Sequence, residues 1–395
     1  MFEHEAPAAR AACDGGGTAA ARRRLAAVGS TALAVVLASC QLAGTTVNSH
    51  MAGQRAGGQA TVSGQAAPQA GGQGDRSGQP AAGATAAAPL RSCLTGTCWV
   101  SVSVATMWVK PWYPRPVDAP ALASPARPRA WVAAMSAAQK SWLVGRLESQ
   151  ALYGTKVTVI GHYGSGWTKI AVPSQPTNRD GRGYPGWVPT RQLTSTSPPA
   201  GTTTAIVRAP TTWLWSGWTG SGVTGSRVME ISYDTMLPVV AATSTYVEVA
   251  MIGGGRLALR RSAVALHAAG TSWGATAAKV IAEARKFRGL QYLWAGTSGF
   301  GFDCSGFTRS VYLAYGLTLP RDADRQAVHG TPVAASGLLP GDLVFFRAGP
   351  SGPISHVGMY VGNGQMIDAP HTGAPVRIES VWSFGNYAGA RRYLH

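Results

Sequence analysis

Cys304 lies in the stretch Gly299-Phe300-Gly301-Phe302-Asp303-Cys304-Ser305-Gly306-Phe307, and it is the last cysteine in the chain. A glycine-rich turn precedes it, and an apolar-periodic run that reads as a helix follows. A cysteine nucleophile needs an ionised sulfur, a base, and a group that orients the base. A helix N-terminus favours the first, because unpaired N–H groups and the helix dipole stabilise an anion there. The same N–H groups can hold an oxyanion. The base is expected at His356, which begins the strand-like run "HVGMYVG". Asn363-Gly364 is a hairpin signal, and the return segment "QMIDAP" brings Asp368 alongside His356. A carboxylate there can accept from one imidazole nitrogen and fix the tautomer. His371, three residues further on, competes for that orienting role. The plain alternative is an inert, buried thiol. The Asp-Cys-Ser-Gly sequence, the downstream histidine and the hairpin argue together against it.

The elements that must position these residues begin near Thr271. "ATAAKVIAEARKFRG" and "CSGFTRSVYLAYG" carry helical spacing, the second closed by Gly316, and "RDADRQAVHG" predicts a third helix. Strand patterns follow in "GDLVFFRAG", "SHVGMYVGNG", "QMIDAP" and "PVRIES". Helices first and antiparallel strands after them indicate an α+β domain over 269–395. Upstream, residues 93–200 and 201–268 are short apolar or alternating runs broken by Gly and Pro, which fit two small β-barrels. A helical spacing interrupts the first, in "WVAAMSAAQKSWLVGRLESQALYG". Trp213, Trp215 and Trp218 fit either a glycan-stacking face or a barrel core, and the core is the expectation. His162 is read as a strand residue of the first barrel. His267 and His329 have no partner in view.

The N-terminal part indicates export. Arg22 to Arg24, an apolar run from Leu25 to Leu37 and a small-residue end form a secretory leader over 1–39. The run is too short to span a bilayer comfortably. Leu37-Ala38-Ser39-Cys40 resembles the lipobox of bacterial lipoproteins, which makes Cys40 the expected lipidation site. The consecutive arginines leave a twin-arginine route open. The segment before Arg22 is long for a leader, so translation is read as starting later. Residues 40–92, rich in Ala, Gly and Gln, read as a disordered tether. The expected location is outside the cytoplasm, anchored to a bacterial membrane by lipid and facing the wall.

Cys93 and Cys98, five positions apart, are expected to form a disulfide in an oxidising compartment; no second ligand pair stands nearby to make a metal site. Cys13 leaves with the leader, so Cys304 is the thiol left over. The 34 Lys and Arg outnumber the 17 Asp and Glu, for a net charge of +17, which attracts polyanions such as acidic wall polymers or anionic lipid. No basic cluster interleaved with aromatics occurs in the folded part, so nucleic-acid binding is not expected.

The motifs "YLWAGTSGFGFDCSGF", "LPRDADRQ", "LLPGDLVFF" and "ISHVGMYVGNGQMIDAPHTGAPVRI" resemble, in order, the NlpC/p60-type cell-wall cysteine peptidases. "WTKIAV…GYPGWVP" resembles bacterial SH3-like modules, and together they resemble γ-D-glutamyl-L-diamino acid endopeptidases. The resemblance implies a papain-like C-terminal domain behind two SH3-like barrels, with Cys304 as nucleophile, His356 as base and Asp368 in the orienting position. Many members carry histidine or another polar residue at that last position. It also implies substrate contacts from Tyr292, Asp303, Ser305 and Arg321, and an amino-end pocket completed from the first barrel by Glu148 and Tyr184. Asp303 is alternatively a helix cap, Arg321 a brace, Glu148 an exposed helix carboxylate and Tyr184 a turn residue; Trp294 is read as packing. The implied reaction is hydrolysis of the γ-D-glutamyl–diamino acid bond of peptidoglycan stem peptides or muropeptides, with no metal or cofactor. A non-catalytic wall-binding lipoprotein and an acyl transferase are the alternatives. Lysine versus diaminopimelate specificity and oligomeric state are left open by the sequence.

Overall fold

A computed structural model describes residues 82–83, 85 and 88–394. The leader, Cys13, Cys40 and most of the 40–92 tether lie outside the described residues. The tether's far end is described. Ala82–Gly83 pairs as a short strand with Trp218 and Gly217, and Ala88 N–H donates to Gly253 O at 2.9 Å.

Three large antiparallel sheets and one two-stranded ribbon, Thr297–Ser298 with Gly301–Phe302, occur among the described residues. In the first, seven strands run in the order Leu147–Leu152, Val104–Trp108, Tyr184–Pro189, Trp167–Val172, Lys156–Tyr163, Thr97–Val100 and Leu193–Thr194. Cys93 and Cys98 form a disulfide at its edge, with a Cα separation of 5.9 Å. Three short helices, Ala119–Leu122, Pro128–Ala134 and Ala137–Ser141, interrupt it. The helical spacing read through residue 154 therefore fails in its second half. Gly145, at φ +71°, turns the chain where a side chain would strain it, and Leu147–Leu152 then pairs with Val104–Trp108. Trp131, Met135, Leu143 and Leu147 still bury in one cluster, so the apolar period was met by two short helices and a strand.

The second sheet, eight strands, contains Thr211–Thr219 and Gly222–Ser232 as its longest pair. Leu214 and Trp218 are buried, but Trp213 and Trp215 are only partly so. Arg227 lies 5.4 Å from both of those rings. The core reading thus holds for Trp218 alone, because strand alternation turns Trp213 and Trp215 to the face opposite Leu214.

In the third sheet the order is Thr331–Val333, Tyr387–Arg392, Leu343–Arg347, Ile354–Gly362, Gln365–Asp368 and Arg377–Ser380. The helices Ala277–Arg285 and Cys304–Leu313 supply Val280, Ile281, Phe307 and Val311 to the cluster that also takes Leu343, Phe345, Val357 and Met359. Val344, Phe346 and Met366 enter a separate cluster on the other face, as a period of two requires. A polar seam joins this lobe to the first sheet. Gln150 is 1% exposed; its side-chain oxygen accepts from Thr297 N–H at 3.1 Å and from the Ser298 hydroxyl at 2.8 Å. Its backbone carbonyl accepts from the Thr297 hydroxyl and from Gln175 Nε2.

Candidate active site

The helix Cys304–Leu313 starts where the sequence said it should. Asp303 is its N-cap: Oδ1 accepts from Gly306 N–H at 2.6 Å, satisfying one first-turn donor. Gly306 is required by close approach, since a Cβ there would lie 2.0 Å from Gly296 O. The N–H groups of Cys304 and Ser305 have no acceptor within the helix, as in any first turn, and are available to an oxyanion. Cys304 itself is 8% exposed and lines a cleft of about 580 Å³.

His356, 5% exposed, stands on the third sheet, near enough to Cys304 for the sulfur to influence its titration. Its Nε2–H donates to Asp368 Oδ2 at 2.7 Å. The contact is diagonal. The pairing of Met359 with Ile367 sets Asp368 beside Gly358, two residues along from His356. A Cβ at Gly358 would lie 2.5 Å from Met366 Sδ and 3.4 Å from Asp368 Cβ, so the bare backbone there gives both side chains their room. Phe384 stacks on the imidazole, with centroids 4.3 Å apart and planes 10° apart. His371 is exposed and engages only the Thr372 carbonyl, at 3.0 Å.

Burial alone would lower the pKa of His356. Hydrogen bonds to Asp368 and Cys304, and the negative charge of both, outweigh it and raise the pKa to about 9. Burial raises Asp368, and the His356 hydrogen bond opposes that rise. The arrangement suits an imidazolium held between the Asp368 carboxylate and the Cys304 sulfur.

Around this pair, Tyr292 lines the cleft, 6% exposed. Burial first, then the charges of Cys304 and Asp303, keep its phenol well above the ordinary range, hence neutral. Asp303 and Arg321 line the cleft and also fill the cap and brace roles that stood as their alternatives. Arg321 is 1% exposed, and its guanidinium donates to Asp303 Oδ2 at 2.7 Å, Asp303 Oδ1 at 3.1 Å, the Ser305 hydroxyl at 3.0 Å and the Ser149 hydroxyl at 2.8 Å. It is a brace between the helix cap and the first sheet. The Asp303 carboxylate is engaged by that brace and by the cap, and Ser305 is tied to both.

Glu148 and Tyr184 do come to the cleft, from the strands Leu147–Leu152 and Tyr184–Pro189. Glu148 is thus a strand residue and not an exposed helix carboxylate. The Tyr184 hydroxyl donates to Asp322 Oδ1 at 2.9 Å. Trp294 packs in the apolar cluster and donates from Nε1 to Leu147 O at 3.2 Å. Asp322, inside the quoted "LPRDADRQ" run, was not singled out, and two site residues outside the quoted motifs escaped the sequence reading as well. Arg179 binds Glu148, and Phe384 stacks on His356. Neither sits in a periodic run or beside a motif; the one local sign was that Arg179 precedes Tyr184 by five positions.

Residues 289–389 match the family model described as the NlpC/P60 family, and residues 207–266 match the YKFC SH3b2 domain. A γ-D-glutamyl-L-lysine dipeptidyl-peptidase of Bacillus cereus is 38% identical over 306 residues, covering 75% of this chain and 90% of the relative. A protein of the same description from Bacillus subtilis is 37% identical, covering 70% of this chain and 90% of the relative. A crystal structure of an NlpC/P60 family protein from Bacillus cereus superposes with a TM-score of 0.70 at 36% identity, covering 76% of this chain and all of the other.

Proposed function

The chain belongs to the NlpC/P60 family, and on that premise we propose that it is a cysteine peptidase that hydrolyses the γ-D-glutamyl–diamino acid bond of peptidoglycan stem peptides. The observation that carries the reading is His356, hydrogen-bonded to Asp368 at 2.7 Å and raised in pKa by Asp368 and Cys304 together, with Cys304 at a helix N-terminus on an open cleft. The fold is read as a papain-like α+β lobe behind two SH3-like barrels.

In the proposed mechanism the Cys304 thiolate attacks the γ-glutamyl carbonyl. The N–H groups of Cys304 and Ser305 receive the developing oxyanion. Protonated His356 passes its proton to the departing amine, and the acyl group stays on sulfur. His356 then takes a proton from water, which attacks the thioester and frees Cys304. Asp368 and the Phe384 ring hold the imidazole so that its other nitrogen faces the sulfur.

The preference is for peptides with a free N-terminal L-Ala. Glu148, Tyr184 and Asp322 form an acidic wall beside Cys304, suited to an ammonium group. The name dipeptidyl-peptidase carried by both Bacillus relatives describes removal of two residues from an amino end. Export and lipidation at Cys40 remain the reading of the leader, which puts the enzyme on the outer side of the membrane. The test is incubation with defined stem tripeptides, free or acetylated at the amino end, read by mass spectrometry. Cleavage between D-Glu and the diamino acid is expected, with the free amine favoured. Intact peptides with wild-type protein, or equal products from Cys304→Ala, would refute the assignment; addition of an amine acceptor distinguishes hydrolysis from acyl transfer.

A further inference from the structure

The acidic wall of the cleft already has a cation against it. Arg179 Nη2 donates to Glu148 Oε1 at 2.8 Å, and Nη1 donates to Glu148 Oε2 and to the Tyr184 hydroxyl, the latter at 3.0 Å. Both Glu148 oxygens are therefore engaged. Four carboxylates line the cleft, Glu148, Asp303, Asp322 and Asp324, against two guanidiniums, Arg179 and Arg321. These two guanidiniums differ in kind. The side chain of Arg321 is 1% exposed and locked between two modules; that of Arg179 is 42% exposed.

The loop that carries Arg179 is fixed at its base and local beyond it. Ser174 O accepts from Arg309 at 2.5 Å, Gln175 bonds to Ser149 and Gln150, and Pro176 O accepts from Arg321 N–H at 3.0 Å. Past Pro176 the polar contacts turn inward: Arg179 N–H donates to the Thr177 hydroxyl, and Arg182 pairs with Asp180. Only the Arg179 side chain reaches back to the wall. It can leave for solvent without breaking the anchors.

We propose that Arg179 is a resident counter-ion of the amino-end subsite, displaced by the substrate's ammonium group, so that it sets the strength of the preference for a free amino end. This rests on reading Glu148 and Tyr184 as that subsite. A guanidinium and an ammonium compete for the same two carboxylate oxygens, so productive binding includes the release of Arg179. An uncharged end gains nothing from that exchange. An exposed ion pair is worth about 0.2–1 kcal/mol, which converts to a competition factor of up to about fivefold.

The test compares wild type with Arg179→Ala and Arg179→Met on a stem tripeptide with a free and with an acetylated amino end. Arg179→Met keeps the aliphatic stem, so agreement between the two variants excludes a packing effect. The expected result is that kcat/KM for the free peptide over the acetylated one rises up to about fivefold, with the change carried by KM. In a Cys304→Ala background, calorimetric Kd for the free peptide is expected to fall by the same factor. An unchanged or raised KM for the free peptide overturns the proposal, as does equal improvement for both peptides, which would mean simple unblocking of the cleft. The underlying subsite is tested separately by the wild-type protein, whose own ratio of free to acetylated turnover reports it. A ratio near one removes the subsite and this role for Arg179 together.

Discussion

Asp368→Asn isolates the electrostatic contribution to the proposed catalytic pair. His356 titrates at about 9 although burial opposes its charged form. That is roughly 2.5 pH units above an unperturbed imidazole, or on the order of 3 kcal/mol in favour of imidazolium. The carboxylate of Asp368 and the sulfur of Cys304 supply it jointly. An opposite charge at hydrogen-bond distance raises a histidine by about 1–3 pH units, so Asn is expected to bring His356 down by about two. At pH 8 the protonated fraction would fall from about nine-tenths to about one-tenth, a tenfold loss of the imidazolium from ionisation alone. The alkaline limb of kcat/KM, expected near pH 9 in wild type, should move down by the same amount. Direct NMR titration of the His356 ring should move with it. Since the folded pKa lies above the unfolded one, the group stabilises the fold fully below about pH 6.5, and this contribution disappears as pH rises through about 9. Asn should therefore also flatten the loss of stability between those limits. A variant whose alkaline limb and ring titration both stay near 9 would refute the argument that Asp368 holds the proton on His356.

Cys304→Ala should abolish turnover and also lower the His356 pKa, because two of its raising influences come from the sulfur; ring NMR of the inactive protein checks this. Arg321→Met leaves Asp303 a buried carboxylate without its bidentate partner, at an expected cost of about 3–5 kcal/mol in stability, read by urea unfolding, together with loss of kcat. Gly358→Ala forces Met366 or the strand to shift, since its Cβ would sit 2.5 Å from Sδ. The expected outcome is a fall in kcat of about tenfold or more with KM little changed, the scale of a misplaced base; an unaltered kcat would mean the contact of Asp368 with His356 tolerates a wider register.

The proposed catalytic trio was legible because each member is announced locally. Asp-Cys-Ser-Gly marks a capped helix start, and Asn363-Gly364 fixes which strands are neighbours. The offset between His356 and Asp368 was not legible, because a register irregularity between Tyr360 and Gly362 lies inside the hairpin. Glu148 was placed on a helix because Trp131, Met135 and Leu143 keep a helical period that the chain satisfies in short pieces. For Asp303 and Arg321 the sequence left substrate contact open against cap and brace, and the fold adds that the two residues pair with each other. Arg179 and Phe384 act on partners 31 and 28 positions away, across loops without periodicity. The pairing of Ala82–Gly83 with Trp218 and Gly217 uses backbone groups, on which an Ala/Gly-rich composition is silent.

The seam at Gln150 bears on how such a chain can be recombined. Gln150 and Ser149 belong to one strand of the upstream module, yet they hold Thr297, Ser298 and Arg321 beside the helix that begins at Cys304. Transplanting residues 269–395 alone onto a different carrier would leave those donors facing an apolar or wet surface and remove the wall bearing Glu148. The module ahead of the peptidase lobe is thus part of the groove itself and not a detachable address label. Fusion designs and lineage shuffling are both constrained to move Leu147–Leu152 together with the lobe it completes.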